Sequence, residues 1–268
     1  MNIALFIKQV PHTEKIKIDA STGMLIRKGV EAILNPYCES ALNLAVSIKK
    51  SVKNTKITVF TMGPQGAELA LRRALALGAD EAVLISGKAF AGSDCFATAH
   101  ILSKALSCHL RKADLVICGK QAIDGETAQV PGEMSEILKI PLLPNVTEIV
   151  EVGKGVRVKS EMGDVFCELL SPLPALITVQ NSLKAKRFPT VKESLNAYSS
   201  KIIFLNNEIL NCKEKDVGLS GSLTKVVKVE TVANKGICQF YNEENLDKGL
   251  DKVLSFISSV KGGKDEKD

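Results

Sequence analysis

Between Ile3 and Leu138 the chain alternates short apolar runs with amphipathic stretches of helical period, and this constrains the fold more than any other feature of the sequence. Ile3–Ile7, Ile57–Met62, Ala82–Ile85 and Leu115–Cys118 read as strands. They are apolar almost throughout rather than at every second residue, as strands covered on both faces are. Asn35-Pro36 opens a helical stretch in which Ala41, Leu42, Leu44, Ala45 and Ile48 recur at helical spacing, with Lys49-Lys50 suited to its C-terminus. Ala67–Leu77 reads as a second helix ending at Gly78, Asp94–Leu110 as a third and Ala128–Leu138 as a fourth. Strand and helix in alternation predict parallel strands joined by right-handed crossovers. The expected fold class is therefore α/β: a doubly wound, mostly parallel, Rossmann-like sheet.

After Pro141 the pattern changes. Val146–Val150, Val156–Lys159 and Phe166–Leu169 are short β-rich segments separated by turns, and they predict a small antiparallel addition. Ala175–Val179 is an apolar strand that returns to the main sheet, and Ile202–Leu205 is a brief further strand. The stretch from Gln180 to Lys201 is polar and basic and reads as a loop. Beyond Lys213 the periodicity weakens, with one last helix expected over Asn245–Val260 and a disordered end over Lys261–Asp268. The division that follows is an α/β domain over 1–205 and a C-terminal arm over 206–268 that packs on a partner.

A net charge of +5 over 268 residues, with lysines spread along the chain, argues against nucleic acid as a partner. The seven cysteines form no CxxC pair, so zinc and dithiol chemistry have no support, and their scatter fits reduced thiols. The N-terminus lacks a basic region and a cleavage site, and no run approaches a membrane span, so a cytoplasmic chain is expected. His12, His100 and His109 share no motif, and Gly218-Leu-Ser-Gly221 lacks the spacing of a nucleophile elbow. No cluster has metal-ligand spacing. The chain reads as a binder rather than an enzyme acting alone.

Open α/β sheets bind ligands beyond the carboxyl ends of their strands. The most informative of these ends is Gly119-Lys-Gln-Ala-Ile-Asp-Gly-Glu-Thr-Ala-Gln-Val130, between the fourth strand and a helix expected to start near Thr127. Glycines at 119 and 125 allow close backbone approach, and free N–H groups at a helix start favour phosphate. The Thr127 hydroxyl and the Gln129 amide are suited to hydrogen-bond a phosphate. The loop is neither a Walker A sequence nor GxGxxG, and it also reads as an ordinary turn between strand and helix. A second phosphate-facing candidate is Thr98, near Ser93 and Asp94, either of which also reads as a plain helix cap.

These segments resemble the β subunit of electron-transfer flavoproteins. Ile7-Lys-Gln-Val-Pro11 is similar to that family's first turn, Ile33-Leu-Asn-Pro-Tyr-Cys-Glu39 to its Asn-Pro loop, and Ala74-Leu-Ala-Leu-Gly-Ala-Asp80 to the turn before its third strand. Cys118-Gly-Lys-Gln-Ala-Ile-Asp-Gly125 is the most specific piece, and the match spans about residues 1–205. The resemblance implies an electron carrier without catalysis of its own, paired with an α subunit that carries FAD. It also implies a second nucleotide site here, holding structural AMP in ordinary members and a second FAD in electron-bifurcating ones. In the latter, electrons pass from NADH toward ferredoxin or flavodoxin and an acyl-CoA dehydrogenase-type acceptor. Asp124-Gly-Glu-Thr-Ala-Gln-Val130 looks more like the bifurcating pattern, which favours FAD.

The implied cofactor residues are Phe6, Lys8, Asn35, Tyr37, Cys38, Met62, Thr98, Gly119, Lys120, Gln121, Ala122, Ile123, Asp124, Gly125, Glu126, Thr127, Ala128, Gln129 and Val130. Phe6, Cys38 and Met62 also read as core. Arg187-Phe-Pro-Thr-Val191 resembles the family's acceptor-docking loop, which gives Arg187, Phe188 and Val191 that role. Lys192 and Leu195–Ser200 depart from the family's pattern there, so the acceptor stays open. Other readings are a stand-alone ATP- or AMP-binding regulator and, more weakly, an adenylating hydrolase or ligase.

Overall fold

A computed structural model describes residues 1–12, 17–18, 25–26, 31–181, 187–225 and 239–262. The turn expected at Asp19–Gly23, the lysines at 184 and 186, Cys238 and residues 263–268 lie outside these. The chain divides into two units, Met1–Val229 and Glu230–Asp268.

In chain order the first unit contains β1 (Asn2–Phe6), β2 (Gln9–Pro11), β3 (Lys17–Ile18), β4 (Leu25–Ile26), β5 (Ala32–Leu34), α1 (Pro36–Ser51), β6 (Lys56–Met62), α2 (Glu68–Leu77) and β7 (Glu81–Ile85). It continues with α3 (Cys95–His109), β8 (Leu115–Gly119), α4 (Val130–Leu138), β9 (Leu142–Val152), β10 (Gly155–Met162), β11 (Val165–Pro172) and β12 (Ala175–Val179). It closes with α5 (Val191–Ser199), β13 (Ile202–Leu205) and the single-turn helices α6 (Asn207–Leu210) and α7 (Gly218–Gly221). The second unit holds α8 (Leu246–Gly262).

One nine-stranded sheet runs in the order β11-β10-β9-β12-β8-β1-β6-β7-β13. From β9 to β13 all neighbours are parallel. At the other end of the sheet β10 pairs antiparallel with both β9 and β11. The three β-rich segments after Pro141 therefore form the expected antiparallel addition. β9 is longer than the expected segment: its first residues, Leu142 to Val146, arrive through the α4 crossover and pair parallel with β12, and from Val146 to Val152 it pairs antiparallel with β10.

The apolar runs alternate between two cores. Ile3 and Leu5 of β1, Ile57 and Val59 of β6, and Leu115 and Ile117 of β8 face α1 and α2. Ala4, Phe6, Phe60, Val116 and Cys118 face α3 and α4. Each fully buried Leu or Ile contributes about 1.5–3 kcal/mol, which is why a chain without Trp builds its sheet from aliphatics. Local signals fix the helix ends. The Asp94 carboxylate caps α3 by accepting from the Ala97 N–H at 3.0 Å, and α2 stops at Gly78 with φ 124°. Lys49, in the last turn of α1, donates to the Gly78 carbonyl at 3.0 Å and to Asp80 at 2.6 Å, tying the first two helices together.

Candidate functional site

The strand order reverses between β1 and β8: β6 and β7 lie on one side of β1, β8 and β12 on the other. At such a switch point the connections leave in opposite directions and open a crevice beyond the strand ends. A cavity of about 360 Å³ lies there, bounded by Phe6 at the end of β1 and Lys8 beyond it, Met62 at the end of β6 and Cys118 and Gly119 at the end of β8. Its volume falls in the range of about 300–1,000 Å³ usual for small-ligand sites. Phe6, Leu102 and Met134 give it apolar walls, and the segment 119–131 supplies a polar rim.

Three contacts set the rim. Asn35, wholly buried, donates to the Gln121 carbonyl at 2.7 Å and accepts from the Ile123 N–H at 3.2 Å. Lys8 pairs with Asp124 at 2.8 Å. Lys120 N–H donates to the Val179 carbonyl at 2.9 Å, anchoring the base of the loop on β12. The tip then takes two left-handed residues that are not glycine, Glu126 and Ala128, each at φ 54°. Such backbone costs about 1–3 kcal/mol per residue and clusters at functional sites. The N–H groups of Thr127, Ala128 and Gln129 donate to none of the described residues. Alternating right- and left-handed backbone with free N–H groups is an anion-binding concavity.

The loop is longer than expected. The helix does not start near Thr127 but at Val130, with Pro131 in its first turn, where the missing N–H costs nothing. Glycine serves differently at its two positions. A Cβ on Gly119 would sit 2.8 Å from the Tyr37 carbonyl carbon and 2.9 Å from the Cys38 nitrogen, so this glycine admits the start of α1 rather than a ligand. A Cβ on Gly125 would meet nothing within 4 Å.

Of the expected cofactor residues, the structure gathers Phe6, Lys8, Asn35, Cys38, Met62, Thr98, Gly119–Ala122 and Gly125–Val130 around the cavity. Tyr37, Ile123 and Asp124 do not line it. Tyr37 packs on Gly119, Ile123 is held by Asn35, and Asp124 turns to Lys8. The cavity also takes in residues the sequence reading passed over, among them Cys95, Leu102, Pro131 and Met134. Helical spacing was the available signal: Cys95 and Leu102 flank Thr98 on one face of α3, and Met134 follows Val130 by one turn. The Cys95 thiol lies 3.2 Å from the Thr127 hydroxyl, bridging α3 to the loop tip.

Burial pushes the Cys38 thiol up and does the same to the Cys118 thiol, with Cys38 beside it adding to the effect. Both stay neutral and act as floor, not as nucleophiles. Burial also pushes the Glu133 carboxyl up, helped by the Asp94 charge, and the Glu133 Oε2 has no partner among the described residues. For Asp94 burial opposes the charge, but hydrogen bonds from Ala97, Leu223 and Thr224 outweigh it and hold the carboxyl below its usual range.

Arg187, Phe188 and Val191 lie away from the cavity. Arg187 donates to the carbonyl of Leu77, the last residue of α2, at 3.2 Å. That end of α2 leads into β7, so it sits at the sheet edge opposite the strand carboxyl ends. Phe188 and Val191 are 74% and 78% exposed. The expected loop is in part a helix: Val191 is the first residue of α5, capped by Thr190 and Glu193 in a reciprocal box. Among the described residues no group of His, Cys, Asp and Glu is placed to hold a metal ion, and no helix is long and apolar enough to cross a membrane.

Fold and cavity together define a doubly wound α/β protein with a cavity at its switch point and, on the rim, N–H groups without acceptors among the described residues. Residues 22–204 match the family model described as the electron transfer flavoprotein domain. The electron transfer flavoprotein subunit beta of Thermoanaerobacterium thermosaccharolyticum is 43% identical over 86% of this chain and 88% of its own length. The caffeyl-CoA reductase-Etf complex subunit CarD of Acetobacterium woodii is 39% identical, over 88% and 90%. The acryloyl-CoA reductase electron transfer subunit gamma of Anaerotignum propionicum is 36% identical, over 95% and 98%. The chain belongs to the electron transfer flavoprotein family, on the side of its β subunits.

Proposed function

We propose that this chain is the β subunit of a heterodimeric electron transfer flavoprotein and holds FAD, adenylate end inward, in the cavity between β1 and β8. The observation that carries this is the loop tip at Glu126–Gln129, where strained backbone lines an apolar pocket and three successive N–H groups have no acceptor among the described residues. In this reading the N–H groups of Thr127, Ala128 and Gln129 seat a phosphate. Thr98, in the first turn of α3, meets a second one, and Phe6 and Met62 pack against the adenine. Asn35 and the Lys8–Asp124 pair keep the loop in place. Bound flavin supplies the one- and two-electron chemistry; the protein positions it.

The names of two relatives, subunits associated with caffeyl-CoA and acryloyl-CoA reductases, support an acyl-CoA dehydrogenase-type acceptor. The bifurcating route from NADH, with ferredoxin or flavodoxin as the other outlet, rests on the likeness of Asp124–Val130 to that pattern. Docking of the acceptor falls to Arg187, Phe188 and Val191. The cavity is compact enough to favour a second reading, AMP alone, with the same contacts to the adenylate half. The subunit names of the relatives favour both over a stand-alone regulator.

Nucleotide extracted from the purified two-chain complex separates the readings: two FAD per heterodimer is the expected result, one FAD with one AMP supports the second. Gly125→Val adds a direct test. Its side chain enters open space in this fold, so the variant folds and assembles normally. The expected result is loss of the β-site nucleotide; a variant that keeps it places the phosphate elsewhere.

A further inference from the structure

One wall of the cavity carries an acidic residue, Asp94, where the proposed ligand is an anion. A free carboxylate beside a phosphate repels it, the more so in a partly desolvated pocket. The structure shows what occupies this carboxylate. Its Oδ1 accepts from the Ala97 N–H. Its Oδ2 accepts from the Thr224 N–H at 2.9 Å and from the Thr224 hydroxyl at 3.0 Å. Thr224 belongs to a strap, residues 217–224, that reaches this wall from about 130 residues away in sequence.

The strap is fastened at several points. Gly218 N–H donates to the Ser93 hydroxyl at 3.0 Å, and Asp94 N–H donates to the Ser222 hydroxyl at 2.9 Å. The Ser222 hydroxyl in turn donates toward the Gly92 and Gly218 carbonyls, at 3.0 and 2.8 Å. Gly218 sits at φ 60°, and a Cβ there would lie 2.4 Å from the Ala89 carbonyl oxygen, so the strap approaches as closely as backbone allows. None of Val217 to Thr224 lines the cavity. From a segment outside the site, the Thr224 N–H and hydroxyl and the Leu223 N–H converge on one carboxylate, while Ser222 holds the backbone of the same residue.

We infer that the strap is a positioning element for the nucleotide site: Ser222 and Thr224 hold and saturate Asp94, so that the wall facing the phosphate accepts an anion. This rests on the adenine-nucleotide reading of the cavity. It makes Thr224 and Ser222 positioning residues whose effect is felt by the charge of the ligand rather than by its base.

The test uses the two-chain complex stripped of nucleotide, titrated with AMP and separately with adenosine. In Ser222→Ala/Thr224→Val the affinity for AMP should fall by about 5- to 30-fold, the equivalent of one or two hydrogen bonds to a charged group, while adenosine binds as in the wild type. Thr224→Ser, which keeps the hydroxyl, should restore AMP affinity in the Thr224→Val position. Should the double variant fail to assemble, Thr224→Val is read alone in wild-type and Asp94→Asn backgrounds. With the charge gone, Thr224→Val should have no further effect on AMP. Unchanged AMP affinity in the strap variants overturns the inference. So does an equal loss for AMP and adenosine, which would mean general loosening, and so does full additivity with Asp94→Asn. Wild-type complex that binds neither ligand overturns the nucleotide reading itself and is recognised before any variant is compared.

Discussion

Asn35 shows how much of the site hangs on a single side chain. Its amide spans the part-buried rim loop from Gln121 to Ile123 and also donates to the buried Cys38 thiol at 3.2 Å. Asn35→Ala leaves a part-buried carbonyl and a part-buried N–H without their partner, each costing up to about 1–3 kcal/mol. The expected outcome is a loss of about 2–4 kcal/mol in denaturant unfolding, together with nucleotide loss, because the loop is no longer held over the cavity. Asn35→Asp separates the two effects. It keeps the acceptor for Ile123 but places a buried charge beside the Gln121 carbonyl, so nucleotide retention falls even where the Ile123 contact survives. In the sequence Asn35 reads as a helix opener before Pro36; the structure gives its side chain to the loop and no cap bond to α1. A distance of 86 residues separates donor from acceptor, and no local pattern encodes that.

At the scale of elements, β1, β6, β7 and β8 are legible because burial on both faces writes itself as unbroken apolar runs. α5 is not. Its apolar side chains Val191, Leu195 and Tyr198 are largely exposed, so they recur on a surface rather than against the core, and the lysine-rich context reads as loop. The signal that would have found it is the Thr190–Glu193 spacing of a capping box. The same box makes a pH prediction. Hydrogen bonds from the Thr190 N–H and hydroxyl, with Arg187 paired beside them, hold Glu193 down to about 2 against an ordinary value of 4.5. A depressed carboxylate stabilises the folded state above its unfolded value, and that contribution is lost as pH falls through the folded one. The cap of α5 should therefore persist at pH 5 and open between about 4.5 and about 2. Amide exchange of residues 192–195 along an acid titration checks this, and Glu193→Gln should abolish the pH dependence. A titration midpoint near 4.5 for Glu193 would show that the box does not form.

For the whole molecule the outstanding feature is apolar surface left open at the C-terminal helix. The expectation of a helix over Asn245–Val260 holds in α8, which runs on to Gly262. Leu246, Leu250, Val253, Leu254 and Ile257 recur along one side of it, each about half exposed or more. A helix with an uncovered apolar stripe of this length is a contact surface seeking cover. Its periodicity was legible, but its occupant was not, since a partner's surface leaves no mark on this sequence. The proposed occupant is the flavin-bearing α subunit, consistent with the subunit names of the relatives. Leu250→Asp with Leu254→Asp places two charges, one helical turn apart, on that stripe. Central apolar contacts of an interface commonly contribute about 2 kcal/mol or more each, so the pair should weaken assembly of the two chains by more than about a hundredfold. Sedimentation of the co-expressed chains reads this directly. The cavity proposed for the nucleotide is built wholly from residues between Phe6 and Met134, so the released β chain should still bind AMP if α8 serves assembly alone. Intact assembly in this variant would place the α-subunit interface on another surface and leave the stripe of α8 without its proposed role.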